Sequence, residues 1–432
     1  MPYVSRRKFI KNTLTGMAVS LFPLNLSCDK KQTSPAQAYH KAVQTILTEI
    51  VRHESDNLRD TANILADTVI AKKRCFLYSG FPSPAGYYTL NSPGLPPVFI
   101  NLLSKQMADT IRKGDTLIIT ESGDIPEFAR KQDAHVIGLS SPQFIDEYPS
   151  SIHKVYAEKR RLGDAAEVII KSHVPYWDGL VECPEYPFMI LPGSGFVRTV
   201  ILTALAGEVY YRSGGIGLTG NIPPHVALGY IEAVSERMKQ ITGQYETLQQ
   251  SGKTITDTMI KGGRFFVYDS NNALKSELTE LSGRPVFARY ITREEILDDK
   301  LKADDALLFV SLRSNATLDL TLMNKVLSTV KTVISICPHD NTGGYRLFKQ
   351  ASFALDNLSP EKEGVITFDN GSKRYLHTGG PLNILLLWML IGEITGQMIQ
   401  HGKTPQYLMG SYFTESEQHN RKALEVAEKR GY

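Results

Sequence analysis

The stretch Thr120-Glu121-Ser122-Gly123-Asp124-Ile125-Pro126-Glu127 follows the apolar run DTLIIT and gathers two hydroxyls, a glycine and three carboxylates. These types suit an oxygen-rich ligand. Hydroxyls at Thr120 and Ser122 can donate to ligand oxygens, and Gly123 lets the backbone approach closely. A helix starting next would add free N–H groups and a partial positive end. Glu121 and Asp124 decide what the loop can hold. Like charges about 4 Å apart repel by roughly 1 kcal/mol in water and about 4 kcal/mol at an effective dielectric of 20. No Lys or Arg lies in SGFPSPAG or TESGDIPE to offset them. The residues therefore point to a neutral, hydroxyl-bearing ligand held by hydroxyl-to-carboxylate bonds. Two other readings stand beside this one. Glu121 facing solvent, with Asp124 capping the helix, would leave the cradle open to phosphate, and the whole loop could be no more than a helix cap.

Further hydroxyls belong to the same reading. Ser79, Gly80 and Ser83 follow the apolar run RCFLYS, and Ser194 in LPGSGFVRT opens a helix. Acid–base candidates are Glu127, Glu182, His225 and His419, since proton transfer needs one base and one acid within hydrogen-bond reach. Each His taken singly is more often structural. Glu208 and Glu393 sit in apolar helices at matched places, which indicates a shared role in the fold. No metal-ligand spacing such as H-x-x-x-H occurs, and no cofactor is implied.

The elements around these residues alternate long helical patterns with short apolar runs. RCFLYS, PPVFI, DTLIIT, AHVIGLS and AEVIIKS are near-continuously apolar, as strands buried on both faces of a parallel sheet are. The second half repeats the order. Tyr39 matches Tyr230, Tyr78 matches Tyr268, Pro97 matches Pro285, Asp115 matches Asp305 and Gly207-Glu208 matches Gly392-Glu393, at separations between 185 and 191 residues. Such small drift is what loop insertions leave in a duplicated unit. The expectation is two three-layer α/β/α domains with mostly parallel sheets, over residues 38–218 and 219–424, with the boundary near the Gly- and Pro-rich RSGGIGLTGNIPPH. Ligands in open α/β sheets sit outside the carboxyl ends of the strands, where YSGFPSP and TESGDIPE both fall. The run NILLLWMLIG, about ten residues, is too short to span a bilayer and reads as a buried core helix.

The helical pair, the strand, GDTLIITESGDIPEFA and then AHVIGLSS together resemble the sugar isomerase (SIS) domain, over about 390 residues as two copies, the first being the closer. The family's loop reads roughly S-x-S-G-x-T-P-E. Ser122, Gly123, Pro126 and Glu127 match it and Thr120 is a conservative change, while Ile125 replaces the Thr that gives a hydroxyl to phosphate. The first loop keeps only Ser79, Gly80 and Ser83 of G-x-G-x-S. The second copy is more degraded: SLRSNATLDL keeps Ser311, Ser314 and Arg313 but loses the Ser-Gly and Pro-Glu pairs. PQYLMGSYFTESEQHN resembles the tail of single-domain members, ending in His419-Asn420. The resemblance implies a ligand that is a sugar or sugar phosphate, isomerase or lyase chemistry if active, and sites formed where two SIS units meet. Loss of the Thr and of the second loop keeps a non-catalytic sensor or scaffold open.

The N-terminus carries an address. Ser5-Arg6-Arg7-Lys8-Phe9-Ile10-Lys11 and the apolar stretch after it resemble a twin-arginine export signal. Leu26-Ser27-Cys28 resembles a lipoprotein cleavage site, which would end the signal at residue 28 and leave 29–37 as a tether. The expected location is periplasmic or membrane-anchored, with the membrane met only through that anchor. Cys75, Cys183 and Cys337 are too scattered for a disulfide framework. The net charge is +3 without a long basic cluster, which argues against nucleic acid. A homodimer is compatible with the pattern.

Overall fold

The computed structural model describes residues 34–78, 98–102, 108–120, 124–140, 162–214, 225–279, 283–339, 346–360, 364–368, 373–410 and 413–430. The stretch expected to be an export signal, Cys28, Ser79, Gly80, Ser83, Glu121, Ser122 and Gly123 lie outside these.

The apolar runs form two five-stranded parallel sheets. The first has Cys75–Tyr78 (β1), Phe99–Asn101 (β2), Thr116–Ile119 (β3), His135–Ser140 (β4) and Val168–Lys171 (β5), in the order β2-β1-β3-β4-β5. A small antiparallel pair follows, Gly179–Val181 (β6) with Ile190–Pro192 (β7). The second sheet has Phe265–Asp269 (β8), Ala288–Tyr290 (β9), Ala306–Val310 (β10), Thr332–Cys337 (β11) and Phe353–Asp356 (β12). Its order, β9-β8-β10-β11-β12, is that of the first, and it too is followed by an antiparallel pair, Ile366–Phe368 (β13) with Lys373–Tyr375 (β14). The duplication read from the sequence is thus a duplication of topology.

Alternation along the strands divides the core. Leu77, Ile118, Ile137 and Leu139 of the first sheet, with Val267, Leu308 and Ile334 of the second, point into one shared central core. The other faces build separate outer clusters. Phe76, Leu117, Ile119 and Val136 meet Ile125 and Ala129 of Asp124–Lys131, helix α3. Phe266, Leu307 and Phe309 meet Ile296, Leu322 and Leu347. Each sheet is therefore covered on both faces, which is why its strands lack a polar side.

The central layer consists of Pro35–His53 (α1), Ser55–Ile70 (α2), Ser194–Arg212 (α4), Val226–Ile241 (α5), Tyr245–Ile260 (α6) and Gly379–Gln400 (α11). The two halves exchange partners here. α1, from the first half, packs on α11 of the second, and α5, from the second, packs on α4 of the first. Helices α2 and α6 stay with their own halves, on α4 and α11 respectively. Helix α11 is 22 residues long and apolar enough to cross a membrane. Its length therefore exceeds the ten residues read from NILLLWMLIG. Burial, not shortness, makes it a core helix, since 83% of its most apolar window lies inside the protein.

Paired details repeat in both halves. The Arg74 backbone N–H and Nε donate to Asp115 Oδ1, and Nη2 donates to Oδ2 at 2.6 Å. Arg264 does the same to Asp305. Each guanidinium also lies over the Phe two residues on, at 5.0 Å for Phe76 and 4.8 Å for Phe266. Leu191 and Leu376, just before the closing helices α4 and α11, have φ of 62° and 61°. That is a strained region for a bulky residue. Tyr39 and Tyr230 hold the carbonyl after each, donating to Pro192 O at 2.9 Å and to His377 O at 3.0 Å. Cys75, Cys183 and Cys337 are buried free thiols. Burial pushes Cys75 and Cys337 up to about 12, as befits core residues.

Candidate functional site

The carboxyl ends of the strands differ between the halves. In the second half, Ser311 follows β10 and Ser270 follows β8. The Ser311 hydroxyl donates to Asp319 Oδ2 at 2.6 Å and accepts from the Arg313 N–H at 3.0 Å, and the Ser270 hydroxyl donates to Ser311 Oγ at 3.3 Å. Asp319 lies in the first turn of Thr317–Leu327, helix α9. Beside them Asp269 is fully buried and accepts the Asn271 and Leu274 N–H groups at 3.2 and 2.9 Å. Burial pushes Asp269 up to about 6 despite those bonds, and burial raises Asp319 as well. The hydroxyls that would face a ligand here are tied to the protein's own carboxylate.

The first half is not closed in this way at Thr120. This residue directly follows β3, is 3% exposed and donates its backbone N–H to Tyr78 O at 3.2 Å. Its hydroxyl is buried with no hydrogen-bond partner among the described residues. An orphaned buried polar group costs about 1–3 kcal/mol, and such a group in a native fold asks for a reason. Asp124 opens α3 and is exposed, so a carboxylate does stand at the start of the helix after the loop, as the sequence suggested.

Ser194 is the first residue of α4, and its surroundings were not legible in the sequence. Asp178 Oδ1 accepts the Gly193 and Ser194 N–H groups at 3.1 and 2.8 Å, and Oδ2 accepts the Ser194 hydroxyl at 2.8 Å. The Ser194 proton is therefore engaged, and its oxygen can offer a ligand only lone pairs. Gly195 stands at a close approach: a Cβ there would lie 2.1 Å from Glu277 Oε1 and would push that carboxylate aside. Glu277, in Lys275–Thr279 (α7) of the second half, also accepts the Trp388 indole N–H at 2.6 Å. So the second half reaches into the start of α4 and places a carboxylate there. Trp177, next to Asp178, buries an indole nitrogen without a hydrogen-bond partner among the described residues.

The acid–base candidates have neighbours of a structural kind. Glu127 pairs with Lys131 at 2.9 Å along α3. His225 is the N-cap residue of α5, without a side-chain capping bond. His419, in Ser416–Arg430 (α12), has Nε2 at 2.9 Å from Tyr407 O and meets Phe188 edge-on at 5.1 Å. These residues stand on three separate elements. Glu182 adjoins the end of β6 and is exposed. Glu208 has the fold role expected of it: its carboxylate accepts Arg212 Nε at 2.7 Å and the Ala227 N–H at 2.8 Å, tying α4 to the start of α5. Its counterpart Glu393 bonds the Ser34 side chain at the start of α1.

No protein-family model and no curated protein matches the chain. Solved structures do. A candidate phosphosugar isomerase from Clostridium difficile 630 superposes with a TM-score of 0.51 at 10% identity, covering 85% of this chain and 94% of that one. The C-terminal domain of glucosamine-fructose-6-phosphate aminotransferase from Francisella tularensis gives a TM-score of 0.49 at 9% identity, over 85% and 98% of the two chains. A candidate sugar-binding protein from Salmonella typhimurium LT2 gives 0.45 at 12% identity, over 81% and 99%. The first likeness, with the strand order of both sheets, shows a SIS-like α/β/α fold.

Proposed function

We propose that this chain binds a sugar or sugar derivative at the strand tips of its first half, and that the second half serves as a partner wall. One observation carries the reading: the buried Thr120 hydroxyl has no partner among the described residues, whereas Ser270 and Ser311 of the second half are tied to Asp319. The names of the solved relatives, which speak of phosphosugars and sugars, agree with the ligand class. The carboxylates of Asp124 and Glu121 favour a neutral sugar over a phosphorylated one, by the repulsion already given. Binding without turnover is the reading the neighbours of Glu127 and His419 support, since each is engaged within the protein. Isomerase or lyase chemistry would require them, or His225, to turn toward the ligand.

Titration of the purified chain with neutral sugars and sugar phosphates tests this proposal. Saturable binding of a neutral sugar, weakened at least about tenfold in Thr120→Val, is expected; that factor equals about 1.4 kcal/mol, within what a hydrogen bond contributes. A clear preference for phosphates would refute the neutral-sugar reading. Glu127→Gln probes catalysis: a turnover that survives it removes Glu127 from any acid–base role. Export by the twin-arginine route and lipid attachment at Cys28 are part of the proposal and rest on SRRKFIK and LSC. Cell fractionation of an Arg6→Lys, Arg7→Lys variant, and lipid labelling of Cys28→Ala, would each show loss if they hold.

A further inference from the structure

His40 joins the two halves. It lies on α1, is 4% exposed, and has both ring nitrogens engaged by the second half: Nε2 is 2.9 Å from Met238 O on α5, and Nδ1 is 2.9 Å from Tyr245 Oη on α6. A carbonyl oxygen only accepts, so Nε2 must carry a proton. In the neutral ring Nδ1 must then accept, and Tyr245 donates. The neutral imidazole satisfies all three groups, while a second proton on Nδ1 would oppose the Tyr245 hydroxyl and oblige it to turn.

The duplicated frame shows that the fold has no need of an ionisable group at this place. The residue after Tyr39 is His40, whereas the residue after its counterpart Tyr230 is Ile231, fully buried. The charges around the joint offer little to an imidazolium. From α11, Glu393 faces Tyr245, but burial raises it toward its neutral form and it bonds Ser34. On the β6 side, Asp178 and Glu277 act on the neighbouring Tyr39. On α5, Glu232, Glu236 and Lys239 line an outer groove together with Arg52 of α1. Arg237 bonds Thr378, and Glu246 of α6 bonds Gln250. Lys41, the next residue of α1, is exposed.

We propose that His40 is an acid-sensitive latch, closed while its ring is neutral, whose protonation loosens the packing of α1 against the second half. The sign follows from linkage. Burial lowers the His40 pKa, so the unfolded chain binds the proton more readily. The stabilisation is complete above about pH 6.5 and is lost as pH falls below it. An exported protein would meet such a change whenever its surroundings acidify.

Thermal midpoints of the full chain between pH 8 and 5 test the latch in wild type, His40→Gln and His40→Ile, the last copying Ile231. His377 and His173 remain in all three and cancel in the comparison. The expected result is a midpoint that falls more steeply below pH 6.5 in wild type than in either variant. Parallel curves would overturn the proposal. Should both variants fail to fold, the His40 ring is followed by NMR in the wild-type chain. A neutral Nε2–H ring persisting below pH 6 is expected, with α1 amide protection lost as it finally protonates. A ring that titrates near 6.5 with that protection unchanged would overturn it.

Discussion

At the scale of the residue, Thr120 and Asp115 answer different questions. Thr120→Val removes a buried hydroxyl that has no partner among the described residues, so stability should stay level or rise by up to about 1 kcal/mol while sugar affinity falls. Denaturant unfolding and titration of the same sample separate the two effects. Ser311→Ala should behave oppositely, costing about 1–2 kcal/mol through the loss of its bond to Asp319, without change in affinity. Asp115 and Asp305 set the acid limb of stability. Burial raises each carboxyl, but the hydrogen bonds of Arg74 and Arg264 and of the backbone outweigh it and hold both below the ordinary value. Their contribution is present above about pH 3.9 and is lost as pH falls through the lowered values. The double variant Asp115→Asn, Asp305→Asn should therefore lose about 2–3 kcal/mol per site at pH 7 and unfold with less dependence on pH below 4.

At the scale of the element, the sequence was informative where physics is local and periodic. Strands buried on both faces announce themselves as apolar runs, so both sheets were legible, and so was their duplication through Tyr39 and Tyr230 or Asp115 and Asp305. The site was only half legible. Thr120 could be placed at a strand end, but the engagement of the Ser194 hydroxyl by Asp178 depends on how the β6–β7 pair folds back onto α4, and the approach of Glu277 to Gly195 on a contact between the two halves. No spacing encodes those. The apolar run within α11 also misled on length, because Gly379-Gly380-Pro381 and the polar Thr395 and Gln397 belong to the same helix and do not look like its continuation. Two predictions belong here. Tyr39→Phe and Tyr230→Phe should each cost about 1–2 kcal/mol, since each orphans the buried carbonyl that follows a strained leucine. Gly252→Ala brings a Cβ to 2.8 Å from Glu393 Cβ, forcing α6 from α11 at a cost of about 1–3 kcal/mol, readable as a lowered unfolding midpoint.

At the scale of the whole molecule, the exchange of α1 and α5 makes the halves one folding unit. Residues 29–218 expressed alone would leave uncovered the face of α4 that α5 buries, and would carry α1 without α11. The expected outcome is aggregation or a non-cooperative unfolding transition for either half; a half that unfolds cooperatively with native helix content would contradict the shared core. Within that frame, among the described residues, the Thr120 hydroxyl of the first half lacks a hydrogen-bond partner while Ser270 and Ser311 of the second are tied to Asp319, and the proposed site rests on this asymmetry. Calorimetric titration of the full chain with neutral sugars tests it most directly, alongside Thr120→Val and Ser311→Ala. The account predicts one site per chain, abolished or strongly weakened by Thr120→Val and untouched by Ser311→Ala. Two equal sites, or a site insensitive to Thr120→Val, would contradict it.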